Sequence, residues 1–342
     1  MIYEHEENIM RVYELRDKTG LDALTLAQRE NPTPGPEQVL IQMRAASLNY
    51  RDLLVLDGLY PDMQLPIVLL SDGIGNVVAV GANVTRVKPG DRVAAVFDQN
   101  WLSGEPPEKT LSLGGQINGV LAQYVVLHQD GVVHVPAHLA DEEAATLPCA
   151  AVTAWNALMA QSELKPGTTV LVQGTGGVSL FALQFARMAG ARVIVISGSD
   201  EKLELAHRLG AESVINYKQT PDWDKELLNL TCGKGVDIVI EIGGSSTLSR
   251  SISAVRKGGQ INLIGVSTGM TAEVFIPSIL VKQIRMQGIY VGSRLMFEQM
   301  NRAIELHKLK PVIDRVFPFE EAPEAFRYMK KGSHAGKVCI RF

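Results

Sequence analysis

Residues 170–186 read VLVQGTGGVSLFALQFA. An apolar run meets a knot of glycines and then continues with helical spacing. The segment GTGGVS, 174–179, follows the dinucleotide fingerprint GxGxxG except that Ser179 stands at the last glycine. In that fingerprint the first glycine, here Gly174, makes the tight turn. The second, Gly176, lets the backbone approach a pyrophosphate. The third permits close helix–strand packing, which a small serine also allows. The helix that follows presents unpaired N–H groups and a partial positive charge to the anion. A lone glycine motif is weak, and its context decides. Here TVLVQG, RVIVIS, SVINY, VDIVIEIG and QINLIG alternate with the helical stretches SLFALQFARMAG, DEKLELAHRLG, WDKELLNLTCG and LSRSISAVRKGG. Such alternation predicts parallel βαβ units in a doubly wound α/β sheet.

The remainder reads differently. Between residues 11 and 135, β-branched runs such as QVLIQMRAASL, GNVVAVG and AQYVVLHQDGVVHVP are broken at close intervals by Pro, Gly, Asp and Asn, as in a β-rich domain. WLSGEPPEKTLSLGGQING, 101–119, is polar and rich in breakers, and is expected as a surface loop. At Asp141 the texture becomes helical, with Asp141 read as an N-cap and AVTAWNALMA as helix. Past residue 290 the alternation fades into the helices SRLMFEQMNRAIELHKLK and EEAPEAFRYMKKG and a closing strand, GKVCIRF. A length of 342 residues suits two domains of roughly 100–200 residues each. The formal net charge of −4 argues against a nucleic-acid surface. No apolar stretch is long enough to span a bilayer. The opening MIYEHEENIM lacks the features of a signal peptide, and the first nine residues read as a loose extension. Three cysteines, Cys149, Cys232 and Cys339, form no CxxC, so a reducing, cytoplasmic setting is expected.

The cofactor's identity turns on the end of the second strand of the glycine unit. An NAD site places Asp or Glu there, on the ribose 2′-OH. Here Ser197-Gly198-Ser199 follows RVIVI, while Asp200 and Glu201 open the next helix. Small hydroxyls leave room for a 2′-phosphate and donate to it, and Lys202 can add a charge. NADP(H) is the expected cofactor.

A β-rich first part, a dinucleotide unit and a return to the first domain resemble the medium-chain dehydrogenase/reductase superfamily over nearly the whole chain. The stretches that carry the likeness are AASLNYRDLLVLDGLYP (45–61), LSDGIGNVVAVG (70–81), VKPGDRV, LPCAAVTAWNAL (147–158), GTGGVS, HRLGAESVINY (207–217), KGGQINLIG (257–265) and AGKVCI (335–340). The resemblance implies a GroES-like catalytic domain over 1–150 and 289–342, and a Rossmann domain over 151–288. Its zinc enzymes hold a catalytic metal with Cys, His and Cys. Here Asn49 stands at the first position, Leu70-Ser71-Asp72 replaces the expected Gly-His-Glu, and only Cys149 keeps a ligand type. One thiolate cannot hold a zinc that needs three protein ligands. Loop 101–119 has no cysteine for a structural zinc, and Pro136 breaks the helical spacing of His134 and His138. No metal site is expected. The chain is therefore similar to the zinc-free, quinone oxidoreductase-like branch, whose signature NYRD matches 49–52.

That resemblance implies Asn49 near the nicotinamide, and Ser199 or Ser197, Lys202 and Tyr217 around the 2′-phosphate. It further implies cofactor contacts from Thr153, from Gly174, Thr175, Gly176, Gly177 and Val178, from Gly265 and Val266, from Gly292 and Ser293, and from Lys337. Without a Lewis acid, the expected acceptor is a quinone or an α,β-unsaturated carbonyl, in which charge moves to a distant oxygen. Tyr50, Tyr60 and Arg294 are the candidate catalytic groups; Arg51 cannot relay a proton, and Asp52 reads as a cap or ion-pair partner. Two alternatives stand beside this reading: an NADP-dependent dehydrogenase of simple alcohols and aldehydes, and an NADPH-binding protein with little catalysis. The cofactor is expected in the cleft between the domains, and the family implies a homodimer, with QGIYVG (287–292) as a candidate edge strand.

Overall fold

The computed structural model describes residues 8–342. Of the expected nine-residue extension, residues 1–7 lie outside the described residues, and Ile9 already opens the first strand. The chain divides into two compact units, one running to Val152 and resuming at Gly292, the other spanning Thr153–Val291.

The first unit is built on β1 (Ile9–Leu15), β2 (Thr25–Glu30), β3 (Gln38–Ser47), α1 (Tyr50–Leu56), β4 (Ile67–Val68), β5 (Asp72–Val80), β6 (Arg92–Ala95), β7 (Tyr124–His128), β8 (Val132–His134) and α2 (Asp141–Ala145). The ten-residue β3 is its pivot, pairing antiparallel with β5 and β7. Its buried positions face a core that includes Val12, Leu15, Ile41, Leu56, Leu69 and Phe326. Asp141 sits inside α2 rather than before it: Ala140 is the N-cap, and the Glu143 carboxylate accepts from its backbone N–H at 2.7 Å. The stretch Leu147–Ala160 is helical, with two wide π-helical turns around the short α3 (Val152–Trp155).

The second unit carries β9 (Thr169–Gln173), α4 (Gly177–Met188), β10 (Arg192–Ser197), α5 (Asp200–Arg208), β11 (Ser213–Asn216), α6 (Trp223–Leu230), β12 (Val236–Glu241), α7 (Leu248–Ala254), β13 (Val255–Leu263), α8 (Ile276–Lys282) and β14 (Arg285–Gly288). Its six strands are all parallel, in the order β11-β10-β9-β12-β13-β14. That is the doubly wound order, whose switch point lies between β9 and β12. All five residues of β9 are buried, as expected for a central strand covered on both faces. The helix read through LSRSISAVRKGG ends at Ala254, and β13 begins at once. The reason is long-range: the Lys282 ammonium donates to the carbonyls of Ile252 (2.9 Å), Ser253 (2.6 Å) and Val255 (3.0 Å), a cationic cap on the end of α7.

The chain then returns to the first unit through α9 (Arg294–His307), β15 (Ile313–Pro318), α10 (Ala322–Lys330) and β16 (Lys337–Arg341). β16 pairs with β15 in parallel and with β3 antiparallel. Among the described residues no helix is long and apolar enough to cross a membrane.

Candidate active site

In the second unit, the strand–turn–helix at the glycine knot forms as its spacing predicts. Gly174 adopts φ +72°, a left-handed conformation open to glycine. Gly176 is the N-cap of α4 in ordinary extended geometry, and a Cβ there would meet no atom of the described residues within 4 Å. Nothing internal demands a glycine at that point; the space lies open at the helix N-terminus. Ser179 is buried and donates from its hydroxyl to the Gln173 carbonyl at 2.7 Å, tying α4 to the end of β9. Thr175 is buried in the same turn, followed by Gly177 and Val178 in the first turn of α4.

Around this turn the carboxyl ends of the strands line a cavity of about 310 Å³ whose walls include Gln173, Gly174, Ile196, Tyr217, Ile242 and Thr268. Ser197 ends β10 and Ser199 is the N-cap of α5. The Tyr217 N–H donates to the Ser197 carbonyl at 3.1 Å. A Cβ on Gly198 would meet Tyr217 Oη at 2.8 Å and Lys218 Cε at 3.0 Å, so Ser197, Ser199, Tyr217 and Lys218 converge there. Lys218 was not singled out by sequence spacing. Lys202 lies half-buried in the first turn of α5. Asp200, the first residue of α5, accepts from Asn216 Nδ2 (2.7 Å) and Gln219 Nε2 (2.8 Å), and so is tied to β11 and the loop after it.

A second feature escaped the sequence reading. Glu241, fully buried at the end of β12, accepts from Gln173 Nε2 (2.8 Å), from the N–H groups of Gly243 and Gly244 (3.0 Å each), and from the hydroxyls of Thr247 and Ser251. These donors satisfy a buried carboxylate without a cation. They also clamp the ends of β9 and β12 at the switch point. Its signal in the sequence was the second acid of VDIVIEIG, set between isoleucines where the apolar strand ends. Gly265 packs against this corner, where a Cβ would lie 2.2 Å from the Ile242 carbonyl oxygen; Val266 beside it is exposed. Thr153 is buried in α3 and is not among the residues that line this cavity.

The first unit gathers another cluster through strand register. Ser47 of β3 is paired with Asp72 on one side and with Cys339 on the other. Continuing the antiparallel ladder sets Asn49, just beyond β3, across from Lys337 at the start of β16. The Lys337 ammonium donates to the Leu48 carbonyl at 2.5 Å and to Asn49 Oδ1, and the residue is 3% exposed. Asp72 is fully buried and accepts from Ser71 Oγ (2.7 Å) and from the Cys149 N–H (3.1 Å). Burial raises its carboxyl to about 6, opposed by Lys337, Asn49 and Ser71. Asp52, also fully buried, takes the Asn49 N–H on Oδ2 at 2.7 Å, in the capping role expected of it, and burial raises its carboxyl too. Burial pushes the Cys149 thiol far above its ordinary range.

The other candidates are placed apart in role. Tyr50 opens α1 and is exposed. Tyr60 lies beneath the Arg51 guanidinium, 4.2 Å from the ring centroid, with its hydroxyl 3.3 Å from Ser112 Oγ. Arg51 donates to Asp52, to the Leu113 and Gly114 carbonyls and to Ser112 Oγ. This arginine holds the 112–114 part of loop 101–119 inward, where Ser112 and Leu113 are buried; Trp101 at the other end is buried too, and only the middle is the surface loop expected. Ser293, after the buried Gly292, is the N-cap of α9, accepting from the Met296 N–H at 3.2 Å. The Arg294 guanidinium is paired with Asp130 and Glu298.

Comparison with known proteins agrees with both units. Residues 35–137 match the alcohol dehydrogenase GroES-like domain, and residues 177–306 match the zinc-binding dehydrogenase family. A zinc-type alcohol dehydrogenase-like protein of Schizosaccharomyces pombe is 47% identical over 94% of this chain and 96% of its own length. An acryloyl-coenzyme A reductase of Metallosphaera sedula is 29% identical over 91% and 94%. The crystal structure of an NAD-dependent alcohol dehydrogenase matches with a TM-score of 0.91 at 34% identity, covering 97% of this chain and 99% of that one.

The zinc that these family names imply does not suit the donors present. Among the described residues no group of three His, Cys, Asp or Glu side chains could hold a metal ion. Asn49 offers its amide oxygen to an ammonium, and both oxygens of Asp72 already accept hydrogen bonds. A divalent cation would have to enter beside the buried charge of Lys337. The fold, the matched domains and a relative of nearly half-identical sequence place the chain in the medium-chain dehydrogenase/reductase superfamily, as an alcohol dehydrogenase-like oxidoreductase.

Proposed function

We propose that the chain is a metal-independent, NADPH-dependent oxidoreductase that delivers hydride to a quinone or an α,β-unsaturated carbonyl. The observation that carries the reading is the buried Asn49–Asp72–Lys337 cluster, where an amide stands at a position the zinc enzymes use for a metal ligand and a buried ammonium sits against it. Without a Lewis acid, a conjugated acceptor is favoured, because hydride can add to carbon while charge moves onto an oxygen that hydrogen-bond donors stabilise. The likeness to an acryloyl-coenzyme A reductase, named for a conjugated substrate, supports this acceptor class.

For the cofactor, Gly174–Val178 and the N-terminus of α4 would hold the pyrophosphate, with Gly176 leaving the backbone open to it. Ser197, Ser199, Lys202, Tyr217 and Lys218 would surround the 2′-phosphate, while Asp200 is held by Asn216 and Gln219. Bound NADPH would supply the hydride. Thr153, Gly265, Val266, Gly292, Ser293, Asn49 and Lys337 are assigned to the remainder of the cofactor by family resemblance. Among the three catalytic candidates, Tyr50 is the proposed proton donor, since Tyr60 is covered by Arg51 and Arg294 is paired with Asp130. The chain is further proposed to act as a homodimer.

The test is cofactor consumption with cyclohexenone, benzoquinone, a primary alcohol and an aldehyde, using NADPH and NADH, with and without chelator, alongside metal analysis. Chelator-insensitive reduction of the conjugated acceptors with NADPH is the expected result. Chelator-sensitive turnover of the alcohol would establish simple alcohol dehydrogenation instead. Quenching by NADPH without any turnover would leave a cofactor-binding protein.

A further inference from the structure

We infer that Lys337 is a positioning residue that aims the Asn49 amide as a hydrogen-bond donor to a carbonyl oxygen. This deepens the proposed function by naming the group that receives the acceptor's oxygen, and it rests on that reading only for the identity of the reaction.

The argument begins with donors and acceptors. A lysine ammonium has three donors and no acceptor. It can therefore meet an asparagine side chain only through the amide oxygen, and Asn49 Oδ1 is the atom it meets. Lys337 is itself fixed by the Leu48 carbonyl at 2.5 Å and by its place on β16. The oxygen's orientation dictates that of the nitrogen. Asn49 Nδ2 points away from the ammonium and has no hydrogen-bond partner among the described residues, although the residue is 7% exposed. An amide nitrogen carries two hydrogens, so even with one turned toward Asp72, whose ionised form Asn49 favours, the other has no acceptor. A buried N–H donor left unmade is expensive. Here it is held in that state by three neighbours: the ammonium on its oxygen, the Asp52 carboxylate on its backbone N–H, and the rung of β3 from which it emerges.

Such a donor is suited to an acceptor atom that arrives from outside, and a neutral carbonyl oxygen meets it with one lone pair. The buried ammonium behind the amide polarises it, so the N–H bond strengthens as negative charge builds on that oxygen. No proton leaves Lys337 or Asn49 in this role, and the acceptor's charge is finally discharged by a separate acid.

The test uses isobutyramide, a carbonyl ligand that hydride does not readily reduce, titrated into the full-length protein by saturation-transfer NMR. The wild type is expected to bind it saturably. Asn49→Ala removes the donor; in protein whose near-UV circular dichroism matches the wild type, binding should weaken at least about tenfold. Lys337→Met frees the amide to turn and should weaken binding by a similar factor, whereas Lys337→Arg, which still donates to Asn49 Oδ1, should retain most of it. The combination of Asn49→Ala with Lys337→Met should be no weaker than either alone, because the two act as one unit. Wild-type affinity in Asn49→Ala, losses that multiply in the double variant, or no saturable binding by the wild type would each overturn the inference. Because neither NADPH nor turnover enters the assay, failure of the hydride-transfer reading leaves this result standing or falling by itself.

Discussion

Asp72 shows most directly what burial does to a single residue. Its carboxyl has an ordinary value of 3.8, and desolvation raises it to about 6 in the folded protein. A carboxyl raised on folding binds its proton more tightly in the native than in the unfolded chain. Its contribution to stability is therefore complete below about 3.8 and is lost as the pH climbs through about 6. The size, at 1.36 kcal/mol per unit, is about 3 kcal/mol. Asp72→Asn removes the titration. The stability of the wild type relative to this variant should decline between pH 4 and 6 and level off above 7, as read from urea midpoints at each pH. A difference independent of pH would refute the assignment. Arg51 makes the complementary point, that a cation can act as architecture. Its planar fork serves Asp52, two loop carbonyls and Ser112 together. Arg51→Lys keeps the charge but cannot span those acceptors. Denaturation should show a loss of about 2 kcal/mol with an unchanged m-value.

At the level of elements, the turn from β9 into α4 is where local sequence and ligand chemistry meet. Gly176 has ordinary dihedrals and empty space around its missing Cβ. Glycine and threonine are about equally good N-caps. Gly176→Thr should thus leave stability within about 0.5 kcal/mol of wild type. NADPH affinity, by fluorescence quenching, should fall at least about tenfold, because the new side chain occupies the pyrophosphate's approach. A folded variant with undiminished affinity would remove the glycine turn from the cofactor site. This turn was legible in the sequence, as were the alternating strands and helices behind it, because each depends on neighbours within a few residues. What could not be read depends on distant partners. The end of α7 is set by Lys282 from beyond the next strand. Asn49 meets Lys337 only because β3 and β16, from opposite ends of the chain, pair in one register. Asn49 and Lys337 were each named from family likeness, but their contact was not foreseeable. Glu241 was passed over because a strand-end acid looks solvated until five donors close around it.

At the scale of the whole molecule, the parallel sheet leaves one flank unfinished. Among the described residues β14 is the last strand of its sheet and pairs with β13 alone, so its outer edge offers unmatched backbone donors and acceptors. Just before it in the chain, Phe275 at the N-cap of α8 and Ile276, Leu280 and Val281 within the helix are exposed over 61–73% of their surface. Ile276 and Leu280 share a face one helical turn apart, while Lys282 turns toward the carbonyls at the end of α7. Four large apolar side chains together on one short helix and its N-cap, a few residues before an open strand edge, form the kind of patch that monomers seldom leave in water. A second copy of the chain, related by a two-fold axis, would cover the helix and extend the sheet in one contact, because such an interface is self-complementary. Sedimentation equilibrium should return twice the chain mass at micromolar concentration. Leu280→Asp should halve it without loss of helix or strand content, since the residue is exposed and makes no core contact within its own chain. A wild type of single-chain mass would show that this flank serves some other purpose, while a dimer that survives Leu280→Asp would move the contact to another face.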